Sequence, residues 1–158
     1  MDVSADELAG VLELFGGLTR RELERALSEA AARSGAPEPE LGPALAAARR
    51  SFGVVVVTHD GTSLYVAGPT AFPTLPEGGE DLRHILSVDP RDVERAAAAD
   101  AVRGRYNRAV RAAIRAGDGD RLRELLDTSY DVEAWAPADF EDERDRIEDA
   151  LAGLEEDG

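Results

Sequence analysis

Arginine carries most of the recognisable chemistry in this chain, and four arginines recur at helical spacing: Arg105, Arg108, Arg111 and Arg115. At 100° per residue the last three fall within one narrow arc, with Arg105 beside it. Val102, Tyr106, Ala109, Val110 and Ala113 take the opposite side. A guanidinium fork holds phosphate or carboxylate in bidentate fashion, so the stripe fits either a phosphate backbone or an acidic protein surface. Acid is abundant in the chain itself. Residues 127–158 hold 13 acids and 2 arginines, net -11, whereas residues 87–126 hold 7 and 9, net +2. Pairing of the stripe with the acidic last helix, residues 141–149, within the molecule or between subunits, is therefore expected, and contact with nucleic-acid phosphates is the alternative.

Other side chains point to little catalysis. The two histidines stand 25 positions apart without metal-ligand spacing. His59 adjoins Asp60 in a hairpin turn, and turn chemistry explains both. His84 follows a proline-rich loop, where it is a core or a capping residue. Asp118-Gly119-Asp120 lacks the later acidic positions of a calcium loop and reads as a helix cap. The chain contains neither a glycine-rich phosphate loop nor a nucleophile elbow. With no cysteine and no lysine, thiolate metal sites, cysteine nucleophiles, a Walker lysine and a Schiff base are all excluded. The expectation is a non-enzymatic protein with no catalytic, metal or cofactor-binding residues and no cofactor.

The remaining composition speaks of surroundings. The 158 residues carry 33 acids against 18 arginines, a formal charge of -15, with no glutamine and one asparagine, Asn107. At molar salt the Debye length is about 3 Å, so self-repulsion that would strain such a chain in dilute buffer is screened. This pattern fits a cytoplasm holding molar salt. The acidic start, Met1-Asp2-Val3-Ser4, does not read as a targeting segment, and no apolar run approaches a membrane span. A cytoplasmic location with no membrane partner is expected.

The elements that position these groups are mostly helical. Ser4 to Glu7 and Thr19 to Glu22 are two capping boxes, flanked by the hydrophobic pairs Val3 with Leu8 and Leu18 with Leu23. They open helices over about 5–15 and 20–33, and Gly16-Gly17 ends the first. After a loop over 34–42, Pro43 suits the first turn of a third helix ending near Phe52. A β-branched run at 54–58, the turn Asp60-Gly61 and alternation over 63–67 predict a hairpin. Three helices and a hairpin follow the order of a winged-helix domain. Its third helix offers only Arg49 and Arg50, both at its end, as basic residues for reading DNA.

Beyond lies a loop over 68–80 with three prolines, in which Phe72 and Leu75 are the large apolar residues expected to anchor it on the protein. A long helix then runs to about Ala116, bent or broken near Gly104. A short helix over 121–127 and a last one over about 137–154 complete the chain. Tyr130, Trp135 and Phe140 concentrate aromatic surface around Pro137, as a packing anchor or an interface hot spot. Trp135 is expected to meet the loop of Phe72 and Leu75.

The segments at 14–23, 71–82 and 129–137 together resemble an uncharacterised family of short acidic proteins of halophilic archaea, and the resemblance spans nearly the whole chain. It implies no activity or site. The expected architecture is mainly α with a small β-hairpin: a winged-helix-like unit at 1–68, a proline-rich connecting loop at 69–89, and a helical region at 90–158 packed on the first unit. The expected role is a protein-interaction or regulatory module whose partner is an unknown protein or a second copy of itself. A nucleic-acid-associated regulator using the hairpin wing and the arginine stripe is the alternative.

Overall fold

Two capping boxes start the chain's first two helices, as their spacing predicts. In the computed structural model, which describes residues 3–157, the Ser4 hydroxyl accepts from the Glu7 amide at 3.0 Å while Glu7 accepts from the Ser4 amide. Thr19 and Glu22 repeat the arrangement. Each box satisfies two of the donors that a helix start leaves orphaned. The outer ends of the expected segments, Met1, Asp2 and Gly158, lie outside the described residues.

The protein is mainly helical, with one antiparallel hairpin, and divides into two compact units, residues 1–94 and 95–158. The first holds α1 (Ala5–Phe15), α2 (Arg20–Ser34), α3 (Leu41–Arg50), β1 (Val54–His59), β2 (Thr62–Ala67) and the single turn α4 (Leu82–Ile85). Val54 pairs with Ala67 and His59 with Thr62, which leaves Asp60-Gly61 as a two-residue turn. Both turn residues have positive φ, 49° and 79°, the backbone that matches hairpin twist and that Asp-Gly tolerates best. Between α1 and α2, Leu18 adds a bridge to the outer edge of β2 through two hydrogen bonds with Tyr65. Leu8, Leu12, Phe15, Leu23, Leu45 and Val54 form the centre of this unit's core.

Residues 69–89, expected as a connector, are pinned to the first unit by their backbone. Thr74 donates to the carbonyl of Asp6 at 2.9 Å, and Phe72 donates to the Asp6 carboxylate at 3.0 Å. The close approach requires Gly10, where a Cβ would lie 2.2 Å from the Thr74 oxygen. Further along, Arg91 straps the turn between α1 and α2. Its amide donates to Phe15, its guanidinium donates to Gly17, and it forms a two-pronged ion pair with Glu22. This pairing holds the Glu22 carboxyl below the usual carboxylate range.

The second unit consists of α5 (Arg95–Ala116), α6 (Gly119–Trp135) and α7 (Glu141–Asp157). Asp118 caps α6 by accepting from the Arg121 amide. α5 is one unbroken helix through Gly104, so the break expected there does not occur. α6 runs eight residues beyond its expected end near Asp127. The reason is local: the hydroxyls of Thr128 and Ser129 donate to the carbonyls of Glu124 and Leu126 inside the helix, while Leu122, Leu125 and Val132 continue its buried stripe. Tyr106 lies at the centre, fully buried. Its hydroxyl donates to Leu125 at 2.6 Å, and its ring meets Phe140 edge-on at 5.1 Å between centroids.

Candidate functional site

The arginine stripe divides by helical phase. Measured from Tyr106, the residues Ala99, Val102, Val110 and Ala113 lie within about 40° and are buried against the neighbouring helices. Arg103 sits at the flank of that arc, at about 60°, so its guanidinium reaches Glu143 on α7 and the carbonyl of Asp139, and covers the Phe140 ring at 4.3 Å. Arg108, Arg111 and Arg115 lie about 140–200° away, on the far side of α5. All three are exposed, and among the described residues none of them makes an ion pair. The expected internal pairing of these three with residues 141–149 is therefore wrong: α6 and α7 pack on the opposite face. Arg105 belongs to the stripe in sequence but is half-buried and has a polar partner of its own.

Acid and base do meet within this unit, through residues outside the stripe. Glu143 is a buried carboxylate, 6% exposed, held by Arg103. Arg144 pairs with Glu133 at 2.8 Å, and Glu133 also accepts from the Phe140 amide, which together depress the Glu133 carboxyl. Burial pushes the Tyr106 phenol well above the ordinary tyrosine range, and the neighbouring Glu143 charge adds to this. The sequence signal for Arg103 was its position beside, rather than opposite, the apolar arc.

The aromatic group around Pro137 separates into two kinds. Phe140 is a fully buried anchor, while Tyr130 is 55% exposed beneath the Arg144 guanidinium and Trp135 is half-buried beneath Arg95 at 4.6 Å. The last two are cation–π platforms at the surface of the unit. In the first unit, Phe72 overturns its expected role as an anchor: it is 79% exposed, and Leu75 is 37% exposed. The loop docks through backbone hydrogen bonds at Thr70, Phe72 and Thr74, and these leave the Phe72 side chain pointing to solvent.

The histidines add no constellation. His59 lies 3.5 Å from Asp60 at the hairpin tip, and His84 is exposed in α4 rather than in the core. Among the described residues no three His, Asp or Glu side chains are grouped to hold a metal ion, and no helix is long and apolar enough to cross a membrane.

Comparison with known proteins finds one family, described as a family of unknown function (DUF7109), whose pattern matches residues 6–152. The chain belongs to this family. No curated protein and no solved structure matches it. The matched region spans both compact units, so Phe72 and the three exposed arginines of α5 both lie within the family's extent.

Proposed function

We propose that this DUF7109 chain is a non-enzymatic protein-interaction module of a high-salt, halophilic archaeal cytoplasm, with Phe72 at the centre of its binding surface. The observation that carries this reading is a large aromatic side chain 79% exposed on a loop whose backbone is already fixed. Leaving a Phe in water forgoes roughly 1.5–3 kcal/mol of burial, and a partner that covers it recovers that amount. The three prolines and the hydrogen bonds to Asp6 lower the ordering cost that binding would otherwise impose on the loop. Rigid exposed aromatics of this kind are the usual centres of binding energy at protein interfaces.

The first unit supports a winged-helix-like description. Three helices precede the hairpin, and the Leu18 bridge adds a third rung beside β2. The face that such a unit would present to DNA bases is poor, because the exposed residues of α3 are Gly42, Pro43, Ala46, Ala47 and Arg50. A second reading is favoured by one specific observation, the exposed row of Arg108, Arg111 and Arg115, which makes no ion pair among the described residues. The row spans about 10 Å of α5 and could track a phosphate backbone without reading sequence. Association with nucleic acid through this row and the wing is thus the runner-up.

Capture from lysate of the native cell in molar KCl separates the two. Wild type, Phe72→Ala and the double reversal Arg108→Glu/Arg111→Glu serve as baits, with nuclease-treated controls. The interaction reading expects a protein partner lost with Phe72→Ala and retained by the reversal. Nuclease-sensitive capture lost only with the reversal overturns it in favour of the runner-up.

A further inference from the structure

We propose that the partner of Phe72 is a second copy of this chain, and that each Phe72 ring enters an apolar groove of the other copy. The inference rests on the reading of Phe72 as a binding element and names what it binds. The groove lies in the first unit, between α2, the loop after it and the proline segment, and is walled by Leu27, Ala30, Ala36, Pro37, Pro39 and Pro76. Its volume is about 190 Å³. An apolar cavity of about 150 Å³ is enough to accept benzene, so the space suits one aromatic ring. Among the described residues no aromatic side chain lines the groove, and the same loop carries one, Phe72, that is exposed.

Phe72 and groove are close in the chain. Pro76 forms part of the groove wall and stands four residues after Phe72, a span of at most about 14 Å even when fully extended. Ring and groove are thus neighbours on the first unit. In the proposed dimer they lie on one face, the condition for an isologous contact in which two copies related by a two-fold axis satisfy both rings with both grooves at once. Among the described residues that line the groove, the charged ones are Glu7 and Glu77, with no cation to receive the other copy's acid. Contact is therefore apolar, opposed by like charge and relieved by salt. Each ring has roughly 150 Å² to bury, so two rings with their groove walls account for about 600 Å² in total, below the 1,200 Å² of a standard interface. A weak, reversible dimer follows, not an obligate one.

Sedimentation equilibrium of the full chain in molar KCl, from micromolar to millimolar protein, tests this. Wild type is expected to show a monomer–dimer equilibrium that does not weaken as KCl is raised further. Phe72→Ala should lower the association constant at least tenfold with unchanged circular dichroism. Ala36→Phe, which fills the groove from a half-buried wall position, should do the same with Phe72 still in place. Mixing the two variants restores one ring-in-groove contact, so the mixture should associate more strongly than either variant alone. A wild type that stays monomeric overturns self-association, and so does a dimer that both variants retain. A dimer that dissolves as salt rises overturns it as well, since charge pairing between arginines and acids would then be holding it. None of these outcomes decides whether Phe72 binds a different protein, which the capture experiment reads independently.

Discussion

If Arg103 and not Arg108 or Arg111 holds the acidic α7, the two kinds of substitution must separate sharply in stability. Glu143 is 6% exposed, and Arg103 is its ion-pair partner. Removing one partner of a fully buried pair costs about 3–5 kcal/mol, because the remaining charge is left desolvated. The Arg103 side chain is 37% exposed, so water reaches the pair from one side and the cost falls to about 2–3 kcal/mol. Loss of the guanidinium over Phe140 adds about 0.5–1 kcal/mol. Arg103→Ala should therefore cost about 3 kcal/mol, which for a chain of this length lowers the unfolding midpoint by about 6–12 °C. The double reversal Arg108→Glu/Arg111→Glu breaks no ion pair, and in molar KCl its added charge is screened within about 3 Å. Two surface substitutions at about 0.5 kcal/mol each keep its midpoint within about 4 °C. Emission of Trp135, the only tryptophan and a residue of the second unit, reports the transition there. Equal destabilisation by the reversal and by Arg103→Ala would refute the assignment of these arginines to a free face.

Four further outcomes are expected. Glu22 has its carboxyl depressed by Arg91, so its stabilising contribution is present above the ordinary value of 4.5 and is lost as pH falls through the lower folded value. Acid titration of wild type should show that loss, and Glu22→Gln should be less stable at neutral pH with a shallower acid slope. Tyr106 has a raised pKa, so its contribution holds below about pH 10 and is lost as pH rises further. Tyr106→Phe should cost about 1–3 kcal/mol at neutral pH, since Leu125 loses its donor, and should flatten the alkaline limb. Gly10→Ala places a methyl group against the Thr74 backbone and should free the proline loop, seen as faster amide exchange at Phe72 and Thr74 with α1 still helical. Dilution of KCl from molar toward about 0.1 M should reduce helix content by far-UV circular dichroism, as the Debye length grows to about 10 Å.

Elements that depend on neighbours in sequence are legible in the sequence itself. The capping boxes at Ser4 and Thr19 and the Asp60-Gly61 turn each rest on contacts within a few residues, and each forms as written. The sequence pattern carries α6 only to Asp127, and the Thr128 and Ser129 that follow have hydroxyls able to compete with helical hydrogen bonds. Here Thr128 and Ser129 return their hydroxyls to carbonyls three and four residues back, and the buried stripe carries the helix to Trp135. That choice depends on whether Leu125 and Val132 have a surface to pack on. Such information belongs to tertiary packing, not to the local pattern.

The candidate surfaces fail and succeed for a related reason. Periodicity identifies which face of α5 is apolar, and the burial of Val102, Tyr106 and Val110 follows it. It also locates Arg108, Arg111 and Arg115 opposite that face, and so away from any helix packed on the apolar side. The excess of acid in α7 drew the stripe toward it only because total charge carries no direction. Phe72 shows the same limit from the other side. Burial energy argues that a loop should dock by its largest apolar group, yet the amides of Phe72 and Thr74 bonded to Asp6, and that of Thr70 bonded to Phe52, together with the space left by Gly10, hold this loop by its main chain. Once the main chain supplies the attachment, the side chain is released from a structural role, and its exposure becomes evidence about binding.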